Sequence, residues 1–266
     1  MPPWANLTQR AQQLRRRKGE SMREPGLVLI HGAMHGAWCW DAVVPRLLGE
    51  VCVVDLPGRP NRPAILAELT LDDFADSVVA DVNAAHLDRV VLVGHSMAGL
   101  TMPGVIDRLG ERVAGVVLVS CVVPEPGGAA IDLFPQPLRG YLRRRFGRAT
   151  VDPADPGLTL PRRLAKWLMY SDLSAAAAEP YLDRLCPDAP GVLFEPATMP
   201  SARTQLPITW VRAARDKAVT PRMQDRVIAR LGADVREVDS GHSPIINHPA
   251  EIAAILNESA RTWSAR

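Results

Sequence analysis

The sequence predicts an α/β fold: a mostly parallel sheet of about six strands flanked by helices, with a helical insertion before the last two strands. Three observations predict it. Short valine-rich apolar runs alternate with amphipathic stretches, as βαβ units do. One long segment, residues 125–205, breaks that alternation with proline-rich sequence and no convincing strand. Finally, small residues and polar side chains recur where apolar runs end, the edge on which open parallel sheets hold ligands.

Taken in chain order, the strands are expected at Gly26–His31, Val51–Leu56, Val90–Gly94, Val113–Val122, Ile208–Ala213 and Val235–Asp239. A helix from Thr70 to about His86 opens with Thr70-x-x-Asp73, a capping-box spacing, and carries Leu71, Phe74, Val78 and Val82 on one stripe. A second helix follows Ser96. The helix Pro221–Leu231 has Thr220 at its N-cap and proline at its first position, and the last helix begins near Pro249. The 125–205 segment is too long for a simple loop. Its helical patterns, Leu138–Phe146, Arg162–Tyr170 and Ala175–Leu185, make it a helical cap. The division is thus a flexible basic extension over 1–25, a core over 26–124 and 206–266, and the cap between them.

Of 266 residues, 47% are hydrophobic and 23% charged, the profile of a globular protein with a sizeable core. Net charge is +2. Residues 1–26 hold six basic side chains against two acidic ones, an excess of four, so the remaining chain stands at minus two. No aromatic or glycine-rich nucleic-acid motif accompanies the basic tail, so no nucleic-acid partner is expected. No apolar run reaches spanning length, so no membrane partner is expected either. The Arg15-Arg16-Arg17 cluster is not read as an export leader, because the next apolar stretch, Leu27–Ile30, runs straight into the expected site. Cys39, Cys52, Cys121 and Cys186 form no framework or metal spacing, which points to free thiols and a cytoplasmic location. No metal or dinucleotide motif is present, and no cofactor is expected.

The run Val93-Gly94-His95-Ser96-Met97-Ala98-Gly99 joins an apolar strand to a helix through a serine flanked by small residues. That is the pattern of a nucleophile elbow, which lifts the hydroxyl above the sheet and sets a helix N-terminus beneath developing negative charge. Alanine stands at plus two where glycine is usual. The run His31-Gly32-Ala33-Met34-His35-Gly36 ends the first strand and opens a helix. There the Ala33 N–H would join that of Met97 in an oxyanion hole. Asp216, after the strand ending at Ala213, and His242, in the loop before the final helix, complete a Ser–Asp–His order. Asp239 is the rival acid. Among the other histidines, His31, His95, His86 and His248 suit structural or capping roles, while His35 suits the pocket mouth. Met34, His35, Phe134, Trp167, Met169 and Tyr170 are expected to line an apolar pocket, and the arginines of 139–148 to form a solvated helix face.

The pairing of His31-Gly32-Ala33…Trp38-Cys39-Trp40 with Gly94-His95-Ser96, with Asp216-Lys217 and Tyr170-Ser171-Asp172 beside it, resembles the plant methylesterase and hydroxynitrile lyase group of α/β-hydrolases and its bacterial esterase relatives. The resemblance covers about residues 26–260. It implies a serine hydrolase of the α/β-hydrolase fold, acting on a small ester or lactone through an acyl-enzyme. Lyases of that group carry threonine after the first histidine and lysine after the catalytic one. Here those positions are Gly32 and Ser243, which favours hydrolysis. A lyase or other non-hydrolytic reaction on the same triad, and a non-enzymatic small-molecule receptor, stand as the alternatives.

Overall fold

A computed structural model describes residues 24–134, 136–146, 157–196 and 206–264. The basic extension expected over 1–25 therefore lies, apart from Glu24 and Pro25, outside the described residues, as do parts of the expected cap.

Six strands form one parallel sheet: β1 Gly26–Ile30, β2 Val51–Val54, β3 Val90–His95, β4 Val113–Val119, β5 Ile208–Ala213 and β6 Asp234–Val238, in the order β2-β1-β3-β4-β5-β6. The central strands are buried along their whole length, which their unbroken apolar sequences require. The outer strand β6, DVREV, buries only Val238, and its charged residues blunt the open edge. Side chains alternate between two apolar layers. Leu27, Leu29, Val91, Val93, Val117 and Val119 face one layer, and Val28, Ile30, Leu92, Val116 and Leu118 the other.

Helices α1 (Leu71–Ala84) and α2 (Ala98–Leu109) cover the second layer, with α6 (Pro221–Leu231) reaching it through Val227. The expected capping box on α1 is present: Thr70 Oγ1 accepts from Asp73 N at 3.2 Å, and Asp73 Oδ2 accepts from Thr70 N at 2.9 Å. The last helix, α8 (Pro249–Trp263), lies on the first layer after a single turn, α7 (Pro244–Asn247). Gly115 of β4 admits it, since a Cβ there would come within 2.3 Å of the Trp263 ring. Between β4 and β5 run α3 (Gln136–Phe146), α4 (Arg162–Met169) and α5 (Ala175–Leu182).

Several expected boundaries move, each for a local reason. Strand β4 stops at Val119, not Val122, because Ser120 turns to φ +46° and Val122 N bonds to Ser96 O at 2.8 Å. The helix expected to open after His31 is instead two 3-10 turns, Ala37–Trp40 and Val44–Arg46, with Pro45 inside the second. Thr220 precedes Pro221 as the N-cap of α6 without a side-chain cap bond. His248 makes no cap bond either; its Nδ1 lies 3.6 Å from Glu251 Oε2.

Candidate active site

Ser96 sits at the turn between β3 and α2 with φ +54°, a conformation that non-glycine residues adopt only where the surroundings hold it. Those surroundings are specific. Ser96 N donates to Val119 O at 3.1 Å, and Ser96 O accepts from Gly99 N and Val122 N at 3.1 and 2.8 Å. Close packing explains the small flanking residues. A Cβ on Gly94 would lie 2.5 Å from Met102 and 3.2 Å from Ala98 Cβ, and one on Gly99 2.4 Å from Val122 O. Alanine at plus two is therefore accommodated because its facing neighbour is glycine.

The structure brings the three expected polar residues together. His242 Nε2 lies 2.8 Å from Ser96 Oγ, and His242 Nδ1 lies 2.8 Å from Asp216 Oδ2. All three residues are buried. The other carboxylate oxygen of Asp216 accepts from Ala218 N at 2.7 Å and Val219 N at 2.9 Å, so the acid is held from both sides. With Nδ1–H donating to the carboxylate, the Nε2 lone pair faces the serine hydroxyl, the orientation a general base needs. The rival Asp239 is exposed and paired with Arg215 at 2.9 Å.

Ala33 and Met97 stand beside Ser96 with N–H groups that have no hydrogen-bond partner among the described residues. Both line one narrow cleft whose free volume, about 10 Å³, is the room of a single water. A Cβ on Gly32 would lie 2.7 Å from Ser96 Cβ, so glycine is required for that approach. The cleft's other walls come from residues that the sequence did not assign to the site, among them Leu56, Phe74, Leu100, Asp188 and Val192. They derive from loops and helices whose convergence no local motif announces.

The expected pocket residues do not share one wall. Trp167 is 51% exposed and lies under the Lys217 ammonium, 5.3 Å from its ring centroid, because α4 turns that face to solvent. His35 is 1% exposed rather than at a pocket mouth. Tyr170 is fully buried against it, and Met169 is buried in the same apolar cluster as Ala165 and Leu182. Met34 lines a separate hollow with Leu160, Ala165 and Leu182, while Phe134 packs near Leu100.

The remaining buried histidines serve the scaffold. His95 Nε2 donates to His242 O at 2.9 Å, fixing the backbone of the base. Leu56 N donates to His31 Nε2 at 3.0 Å. Burial lowers all three ring pKa values: His31 to about 3, helped by Arg59; His35 to about 4; and His95 well below the usual range, helped by His242. Because the folded values lie below the ordinary value of 6.5, the unfolded chain binds more protons, and stability is lost as pH falls from 6.5 toward 4. Thermal melts across that window are expected to show a steadily falling midpoint; a flat profile would exclude these rings as the source.

Among the described residues, no group of three or more His, Cys, Asp or Glu side chains could hold a metal ion, and no helix is long and apolar enough to cross a membrane.

A family model described as the alpha/beta hydrolase family matches residues 27–255. A carbendazim hydrolyzing esterase of Nocardioides sp. strain SG-4G is 36% identical over 45% of this chain and 51% of its own length, so the chain spans about half of that relative. Methylesterase 7 of Arabidopsis thaliana is 27% identical over 89% of this chain and 96% of its own. An extracellular alpha/beta-hydrolase from a Paenibacillus species is described as sharing structural and functional homology with tobacco salicylic acid binding protein 2. Its solved structure has a TM-score of 0.77 with 22% identity, covering 89% of this chain and 99% of that one, a likeness of fold.

Proposed function

This chain belongs to the alpha/beta hydrolase family, and from that premise we propose that it hydrolyses a small carboxylic ester or lactone through an acyl-enzyme on Ser96. The observation that carries the reading is the continuous chain Ser96–His242–Asp216, with 2.8 Å at each step. His242 takes the hydroxyl proton as Ser96 Oγ attacks the ester carbonyl, and returns it to the departing alcohol oxygen. Asp216 holds the imidazole tautomer and stabilises the imidazolium. The amides of Ala33 and Met97 receive the oxyanion, each worth about 3 kcal/mol in comparable sites. Water then attacks the acyl carbonyl, with its proton passing to His242 and back to Ser96, and the carboxylic acid leaves.

The side chains around the narrow cleft, Leu56, Leu71, Phe74, Leu100 and Val192, are apolar, which favours a small hydrophobic group on the substrate over a charged one. The described part of the segment 125–205 suits the role of a cap over this site, and the four free cysteines suit a cytoplasmic setting. Gly32 leaves the approach to Ser96 unobstructed, which favours hydrolysis over cyanohydrin cleavage.

The test is hydrolysis of p-nitrophenyl acetate and butyrate, with a fluorophosphonate probe read by intact mass. Turnover with a single adduct on Ser96 supports the reading, and folded protein with neither removes it. The acid assignment has its own test. Asp216→Asn is expected to lower kcat by about 10³-fold, because the amide presents the wrong partner to His242 Nδ1. A null effect there beside a large one at Asp239→Asn would reverse the choice.

A further inference from the structure

The loop that carries Ala33 is held by bonds within itself, by Arg59, and by two residues of the segment between β4 and β5, Cys186 and Asp188. Its three residues Ala33, Met34 and His35 have six backbone polar groups, and five are engaged. Ala33 O accepts from His35 Nδ1 at 2.8 Å, Met34 N donates to Asp188 Oδ2 at 2.8 Å, and Met34 O accepts from Cys186 N at 3.0 Å. His35 N donates to Gly32 O at 3.4 Å, and His35 O accepts from Arg59 Nε. Among the described residues, the sixth group, the Ala33 N–H, has no partner, and it is the one the oxyanion needs.

Two buried contacts support those bonds. The Tyr170 hydroxyl lies 2.7 Å from His35 Nε2, and Arg59 Nη2 lies 2.8 Å from Asp188 Oδ2. Tyr170, Arg59 and Asp188 are all almost fully buried. The His35 pKa is lowered to about 4, chiefly by burial, and burial pushes the Tyr170 phenol up. The ring is therefore neutral near pH 7. Its Nδ1–H faces the Ala33 carbonyl and its Nε2 lone pair receives the phenol proton. Met34 also holds φ +59°, a conformation a loop residue keeps only when its neighbours fix it.

We propose that the segment between β4 and β5 braces the oxyanion loop, with Tyr170 and Asp188 as positioning residues that fix Ala33 through His35 and Met34. The proposal rests on the hydrolase reading above and adds to it a role for the insertion beyond covering the cleft. The brace leaves the ground-state substrate untouched and acts on the amide that meets developing charge, so its loss falls on kcat rather than KM.

The experiment uses the full chain with Tyr170→Phe, which keeps the buried ring and removes only the hydroxyl. With p-nitrophenyl butyrate, kcat is expected to fall by about 10- to 100-fold while KM stays within about twofold. By amide hydrogen exchange, the peptide over residues 31–37 is expected to open about tenfold faster, with the β3 peptide over 90–95 unchanged. Asp188→Asn, which weakens the hold on Met34 N, is expected to act in the same direction on both measurements. Unchanged exchange over 31–37 in folded Tyr170→Phe overturns the brace, as does unchanged kcat. The exchange measurement needs no turnover. An inactive wild type would remove the hydrolase reading while exchange still decided the brace.

Discussion

Ser96→Ala is expected to lower ester turnover by about 10⁴- to 10⁶-fold, with the protein folded and its melting temperature nearly unchanged. The size follows from the arrangement. With Oγ gone there is no acyl-enzyme, and only the Ala33 and Met97 amides and binding remain to accelerate attack by water. The fold is spared because the bonds that set the elbow are backbone bonds, from Ser96 N to Val119 O and from Val122 N to Ser96 O. The measurement is p-nitrophenyl ester turnover beside fluorophosphonate adduct mass. A variant that kept turnover within tenfold of wild type would assign the chemistry to another residue.

His242→Ala should fall nearly as far, by about 10⁴-fold or more, for a different reason. The hydroxyl remains, but among the described residues it loses its one side-chain hydrogen-bond partner, so both acylation and probe labelling slow together. The second point separates this variant from a binding defect, which would raise KM and leave saturating labelling intact. The backbone carbonyl of His242 still accepts from His95 Nε2, so the loop keeps its anchor. Raising the pH is expected to restore part of the labelling in His242→Ala and none in Ser96→Ala, since only the former retains a hydroxyl to ionise. Identical recovery in both would contradict the division of roles.

Much of this arrangement is legible in the sequence, and the boundary between legible and hidden has a physical basis. Strand β3 and the elbow can be read because local backbone crowding dictates small residues around Ser96. Asp216 and His242 can be placed because both follow apolar strands, and strand ends on one edge of a parallel sheet meet in space. Six parallel strands follow from their apolar runs, with ends misjudged by one to three residues where a positive φ, as at Ser120, stops pairing early. The pocket was not legible in the same way. Trp167 and Tyr170 lie three residues apart on and just past one short helix, yet one is half exposed and the other fully buried. Apolar character marks both as core, and only the docking of the helix decides between them. Arg59 and Asp188, 129 residues apart, form a buried pair that no spacing rule connects.

The apolar cluster that the sheet shares with α4 and α5 has a thermodynamic consequence. Ala165, Met169, Ala178 and Leu182 of the insertion lie in one cluster with Leu27, Leu29 and Val91 of the sheet. A module that keeps its own core can detach, be exchanged between relatives, or melt in its own step; one that borrows its core cannot. Helices α4 and α5 are therefore coupled to the sheet, while Ala129, Ala130, Ile131, Leu142 and Phe146 of the same segment pack in a separate cluster with Leu100. Changes at the buried residues of α4 and α5 draw on the same stability reserve as changes in the strands, so substitutions there are constrained by folding.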